Sequence, residues 1–236
     1  MSINTSTGAG TLVGPSGLTV TLSLARDSSG TLFTATTGAI ANLVTINPVT
    51  GVGSLGPAIT GTGLADIGVS GLSFSSTGVL FASIRDVNLV TPPGLYTINK
   101  VTGAASFIGT ISSDSVTDIA FSPTGTLYGW DNDLGGLVTI NTLTGAGTLV
   151  HSGPPGGDLR ALTFDSNGNL FGVGMGLYRI NTTTSATTLV GNIGFPNDFP
   201  RGIAFTAAPE PGTLTLIGTA VVVAFAVRRL RDPRKA

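Results

Sequence analysis

Large and small side chains alternate in short bursts along this chain. Leu72-Ser73-Phe74, Ile119-Ala120-Phe121 and Leu162-Thr163-Phe164 each place two large apolar residues on one side and a small residue on the other. A period of two is the mark of a strand, and small residues on one face suit a strand beside a crowded axis. Each burst is followed by a turn signal, STGVLF from Ser76, PTGTLY from Pro123 or SNGNLF from Ser166, and SSGTLF from Ser28 is a fourth copy. Glycine in these turns can take the left-handed conformation that a Cβ disfavours. LYTIN and LVTIN then read as third strands, and segments such as AGTLV as fourth strands.

The pattern recurs. An Ile-Asn pair leading into Thr-Gly begins at Ile3, Ile46, Ile98 and Ile140, and a fifth copy from Ile180 ends in Ser185 instead of glycine. The spacings are 43, 52, 42 and 40 residues. Units of this length built from four strands predict an all-β fold, a β-propeller of about five four-stranded blades. Complete units fall near 22–57, 71–110, 118–152 and 161–194. The N-terminal SINTSTGAGTLVG supplies the back half of another unit, and the RGIAF ending at Phe205 supplies its front strand. One blade is therefore predicted to be split between the two ends of the body, with its second strand missing. Arg26 stands where the other units place an aromatic residue, which makes the first unit irregular.

Composition agrees with strands and turns. Of 236 residues only 10% are charged, 35 are glycine and none is cysteine. Disulfides and thiolate metal sites are thereby excluded. Residues 1–209 carry six Lys/Arg against ten Asp, while 210–236 carry five Lys/Arg against two acids. A mildly acidic body without a basic patch gives no footprint for nucleic acid. MSINTSTGAG has neither a basic start nor an apolar run, so no secretory signal is visible; the expectation is an N-terminus lying inside a longer gene product.

Few residues of the body carry recognisable chemistry. The one histidine, His151, sits at the end of a fourth strand, where other units place Gly14, Gly109 or Gly191, and reads as an exposed side chain. Asp131-Asn132-Asp133 starts like a calcium loop but has Gly135 and Thr142 where further oxygen ligands belong, so it reads as a polar turn. Gly172–Gly176 is glycine-rich but opens no helix. Four carboxylates are more suggestive. Asp66, Asp114, Asp158 and Asp198 lie six to eight residues before the inner-strand aromatic of their units. Loops at that position gather round one mouth of a propeller channel, so the four could form a ring for a divalent cation, calcium being the candidate, or for a cationic ligand. Alternatively, each caps its own turn.

The C-terminal stretch is of a different kind. Thr213–Val227 is a run without charge, followed at once by Arg228, Arg229 and Arg231. As a helix it would span roughly 22 Å, short of a hydrocarbon core of about 30 Å, and its basic flank would stay cytoplasmic. Pro209 and Pro211 keep the chain around Glu210 extended.

Pro209-Glu210-Pro211, a short apolar run and a terminal basic cluster, in this order, resemble the PEP-CTERM sorting signal of Gram-negative bacteria. The resemblance covers about 209–231. It implies a substrate of exosortase, transient anchoring in the inner membrane, removal of the tail near the PEP motif, and a destination at the cell surface or in the extracellular polysaccharide of a biofilm. The expected organisation is a propeller over 1–207, a sorting signal over 208–231 with a transmembrane helix at 213–227, and a basic cytoplasmic tail over 232–236. With no catalytic constellation in view, the expectation is a non-enzymatic module without a bound cofactor that binds surface glycan or matrix. The alternative is a propeller enzyme, lactonase-like or quinoprotein-like, with a metal or cofactor at the channel mouth.

Overall fold

The computed structural model describes residues 1–18, 21–63, 66–86, 94–111, 115–152, 158–194, 201–206 and 220–223. Among these residues twenty strands form five four-stranded sheets. β1 (Ser2–Asn4) and β2 (Gly10–Thr11) open the chain and belong to the last blade. The first blade is β3 (Ala25–Arg26), β4 (Leu32–Ala35), β5 (Asn42–Ile46) and β6 (Gly53–Ala58). The second is β7 (Ile67–Phe74), β8 (Leu80–Asp86), β9 (Gly94–Ile98) and β10 (Ala105–Thr110). The third is β11 (Val116–Phe121), β12 (Leu127–Asp131), β13 (Gly136–Ile140) and β14 (Gly147–Ser152). The fourth is β15 (Ala161–Phe164), β16 (Leu170–Val173), β17 (Gly176–Ile180) and β18 (Thr187–Asn192). The fifth adds β19 (Ile203–Thr206) and β20 (Ala220–Val223), in the order β19-β20-β1-β2.

The innermost strands β3, β7, β11, β15 and β19 each pack beside the next, and β19 returns to β3, so the ring closes. The core is divided among the blade boundaries. Five apolar clusters lie one at each boundary; Val69 and Phe33 meet between the first and second blades, and Ile3 and Phe171 between the fourth and fifth. This division follows from the sequence pattern, because each sheet is apolar on both faces and can bury them only against its two neighbours.

The repeated Ile-Asn motif ends the third strand and builds the turn to the fourth. In every copy the asparagine carboxamide accepts two backbone N–H groups, as Asn141 does from Leu143 at 2.8 Å and Thr144 at 3.2 Å. The following Gly8, Gly51, Gly103 and Gly145 have positive φ, which explains the Thr-Gly signature. Ser185, at φ 56°, is the non-glycine residue in that conformation among the described residues.

One expectation is corrected. Within the apolar run 213–227, predicted to be helical, Ala220–Val223 form a strand between β19 and β1. Val222 pairs with Ser2 on one side and Ala204 on the other. Three consecutive valines lose side-chain freedom in a helix and fit a pleated sheet. β19 and β1 would otherwise each present an unpaired edge. The strand that seemed missing from the split blade is thus supplied from the tail. Among the described residues no helix is long and apolar enough to cross a membrane.

Candidate functional site

The blades converge on a channel with two mouths. One is an open basin of about 400 Å³ lined by the inner-strand ends, including Phe74, Phe121, Phe164, Phe205 and, in the irregular first blade, Arg26. The other is a recess of about 220 Å³ whose walls are drawn from all five blades.

A single repeat position builds the inner wall of that recess. The residue four before the inner-strand aromatic is Ser70, Thr117, Arg160 or Arg201, and Leu22 holds the same place before Arg26. Arg85 from β8, with Ser115, Asn132 and Asp158 from loops, adds to the polar lining. Among the described residues three guanidiniums and one carboxylate therefore line the recess. Asp158 accepts two bonds from Arg160, at 2.5 and 3.1 Å, and a third from the Asn132 amide at 2.7 Å. This third bond leaves the Asn132 carbonyl oxygen buried and without a partner among the described residues. Thr117 donates to the Leu159 carbonyl at 2.7 Å and ties the third blade to the fourth beneath the site. Burial and the neighbouring Arg160 and Arg85 charges lower the pKa of Arg201 from its ordinary value, with Asp158 opposing them. Such a site attracts a compact anion, and its buried unpaired acceptor suits a ligand hydroxyl.

The next position inward is small in every blade but the third: Ser23, Gly71, Ala161 and Gly202, with Asp118 the exception. At Gly202 a Cβ would meet the Ser23 backbone at 2.4 Å. Gly71 leaves room for the carboxyl of Asp118, which comes within 2.8 Å of the place a Cβ would take. Asp118 is fully buried and accepts the N–H of Leu162 and of Ile119, each at 2.8 Å, with a further bond from Leu72. It joins the second, third and fourth blades at the axis. Burial raises its pKa well above the ordinary value against the pull of these bonds.

The predicted carboxylate ring is only partly placed. Asp158 lines the recess; Asp66 does not, and its Oδ1 is buried near Gly38 without a hydrogen bond among the described residues. Asp114 and Asp198 lie outside the described residues, as do Pro209, Glu210, Pro211, Arg228, Arg229 and Arg231. Among the described residues no three His, Cys, Asp or Glu side chains gather as metal ligands. The one described carboxylate of the recess, Asp158, is already shared between Arg160 and Asn132. The described donors at this mouth therefore do not fit calcium. His151 lies in β14 opposite Leu137 and is exposed. The arginines were missed because each is isolated in sequence; aligning the units on the inner-strand aromatic puts Arg160 and Arg201 in one column.

No protein-family model matches the chain, and no curated protein matches it in sequence. Solved structures match its shape. A gluconolactonase of Xanthomonas campestris superposes with a TM-score of 0.56 at 15% identity, over 88% of this chain and 72% of that one. A structure provisionally assigned as a gluconolactonase gives 0.55 at 13% identity, over 87% and 74%. Regucalcin of Agrobacterium tumefaciens, a calcium-binding protein, gives 0.52 at 17%, over 87% and 76%. The body is a β-propeller. At these identities the likeness establishes the fold alone. It does correct the expectation of a non-enzymatic module. Propellers of the same shape are in good part enzymes by name, a luciferin-regenerating enzyme among them, so a missing nucleophile motif is no ground for setting catalysis aside.

Proposed function

We propose that the protein is a propeller enzyme that hydrolyses a small lactone at the arginine-lined recess. The observation that carries this is the convergence of Arg85, Arg160, Arg201, Asp158 and Asn132 at one channel mouth. The guanidiniums would stabilise the oxyanion that forms when water attacks the lactone carbonyl, and would then hold the product carboxylate. Asp158 lines the recess and would take a proton from the attacking water and return it to the ring oxygen as the C–O bond breaks, so that this oxygen leaves as a hydroxyl and the new acid ionises to the solvent. The unpartnered Asn132 oxygen would accept a substrate hydroxyl. The likeness to gluconolactonases supports starting with sugar lactones. A pH-stat assay over a panel of aldonolactones tests the proposal: proton release above the buffer rate is expected, and its absence with every lactone in folded protein overturns it.

We propose further that the chain is exported and sorted through its tail, with exosortase as partner and the inner membrane as a temporary anchor. Pro209-Glu210-Pro211, the uncharged run and the basic cluster support this. Intact-mass measurement on surface-released protein from the native host is expected to find 228–236 removed, and a full-length mass would refute it.

A further inference from the structure

We infer that Ala220–Val223 serve two exclusive purposes, as the closing strand of the fifth blade and as part of the membrane segment, so that the blade and the bilayer compete for the same residues. This rests in part on the reading of the tail as a membrane-directed sorting segment. In the structure β20 is a central strand, paired with β19 through Ile203↔Val223 to Thr206↔Ala220 and with β1 through Ser2↔Val222 to Asn4↔Ala220. Its backbone N–H and C=O groups are committed to two neighbours. A membrane-spanning helix must commit the same groups to itself, because the bilayer core offers them no other partner. The four residues also sit inside the uncharged run Thr213–Val227, so a helix that used this run could not spare them.

Withdrawal of β20 has a defined consequence. Among the described residues β20 carries the ladder between β19 and β1, since the sheet order is β19-β20-β1-β2. Without it, the short hairpin of β1 and β2 keeps the apolar contacts of Met1 and Ile3 with the fourth blade but loses its ladder to the inner strand. A hairpin of that length has little stability of its own. The slot is thus a strand-acceptor site whose occupant is the chain's own tail. Membrane insertion opens the fifth blade, and release of the tail from the bilayer closes it.

The absence of cysteine allows a direct test in the full chain. Two double variants, Ser2→Cys with Val222→Cys and Ile3→Cys with Val221→Cys, place thiols at register partners of both kinds in the β1–β20 ladder. Under mild oxidation in water at least one is expected to form an intramolecular disulfide, while a Thr188→Cys with Val222→Cys control is not. Flotation with vesicles of phosphatidylethanolamine and phosphatidylglycerol then reads the competition. The reduced chain should float, and the disulfide-locked chain should lose most of that flotation. Failure of both pairs to cross-link, or a cross-linked dimer in place of the monomer, overturns the assignment of the strand. Equal flotation of locked and reduced chains overturns the competition while leaving the anchor reading intact. A reduced chain that does not float overturns both.

Discussion

The Ser185 hydroxyl accepts the backbone N–H of Leu137 at 3.2 Å, across the boundary between the third and fourth blades. Leu137 is in turn the register partner of His151. At the corresponding place in other blades, Gly109 and Gly191 lie against backbone so closely that a Cβ would come within 1.8 Å of the Thr144 carbonyl and 2.0 Å of the Thr7 carbonyl. His151 and Ser185 are thus paired departures from one Gly-against-turn contact. Ser185→Ala keeps the positive φ that the wild type already has and removes the bond to the Leu137 N–H, so it should cost about 1–3 kcal/mol. Ser185→Gly loses the same bond but relieves the backbone, and should cost about 1–2 kcal/mol less than Ser185→Ala. Urea unfolding that ranked the two variants equally would show that the conformation at this site carries no penalty.

The same contact makes an asymmetric prediction. Gly191→Ala should destabilise by more than about 2 kcal/mol, because the atoms it meets are the backbone of Thr7 and cannot rotate away. His151→Gly should change stability by less than about 1 kcal/mol, since the imidazole is exposed. Thermal melts of the two variants side by side check this.

Much of the fold was legible because its determinants are local and repeated. Asn141, the Thr-Gly turn and the Leu-Thr-Phe alternation act within a few residues, so each copy announces its own strand or turn. Ala220–Val223 were not legible as a strand. An uncharged run suits a membrane helix and a central strand equally, and what decides is the pair of open edges on β1 and β19, more than a dozen residues away in one direction and the length of the chain in the other. The recess was hidden for a related reason. Arg85, Arg160 and Arg201 form no local pattern, and only the closed ring brings them to one mouth. The carboxylates drew attention because they preceded each unit, yet of the two that are described Asp158 lines the recess and Asp66 does not, and there Asp158 answers an arginine.

Asp118 predicts a pH dependence of stability. Its folded-state pKa is raised, so the native protein holds this proton more tightly than the unfolded chain does. The stabilisation is full below the unfolded value near 3.8 and is lost as pH rises through the folded value. Asp118→Asn cannot ionise and should remove this contribution. The difference in unfolding free energy between variant and wild type should therefore shift in favour of the variant as pH rises above 4, when compared by denaturant titration at several pH values. A difference independent of pH would refute it.

Asp27 works in the opposite sense. Burial alone would raise its pKa, but hydrogen bonds from Lys100, Ser29 and Thr31 and the Lys100 charge outweigh it and bring the carboxyl down to about 2. The Lys100 ammonium sits 2.8 Å from Asp27 and 5.7 Å from the ring centres of both Phe33 and Phe74, joining the first and second blades. Its stabilisation is present above pH 3.8 and lost as pH falls toward 2. Lys100 is 43% exposed, so water screens much of the pair, and Lys100→Met should cost about 1 kcal/mol at neutral pH. Acid titration of the variant should show a smaller loss of stability between pH 4 and 2 than the wild type shows; parallel curves would place the acid sensitivity elsewhere.

Arg201 and Asp158 separate binding from chemistry in the recess. Arg201 approaches the recess from the fifth blade and forms part of its lining. Arg201→Gln should weaken transition-state stabilisation and lower lactone kcat/KM by about 10²–10³. Asp158→Asn keeps the shape but cannot take a proton, and should lower kcat by about 10²–10⁴ with little change in KM. It also removes the Asp158 charge from beside Arg160. The Asp158→Asn variant should therefore bind an aldonate anion more tightly than the wild type, read as a larger rise in melting temperature at equal ligand, and added salt should diminish that rise. Weaker aldonate binding in this variant would mean that Asp158 holds Arg160 in its working position, and would move the base to another group.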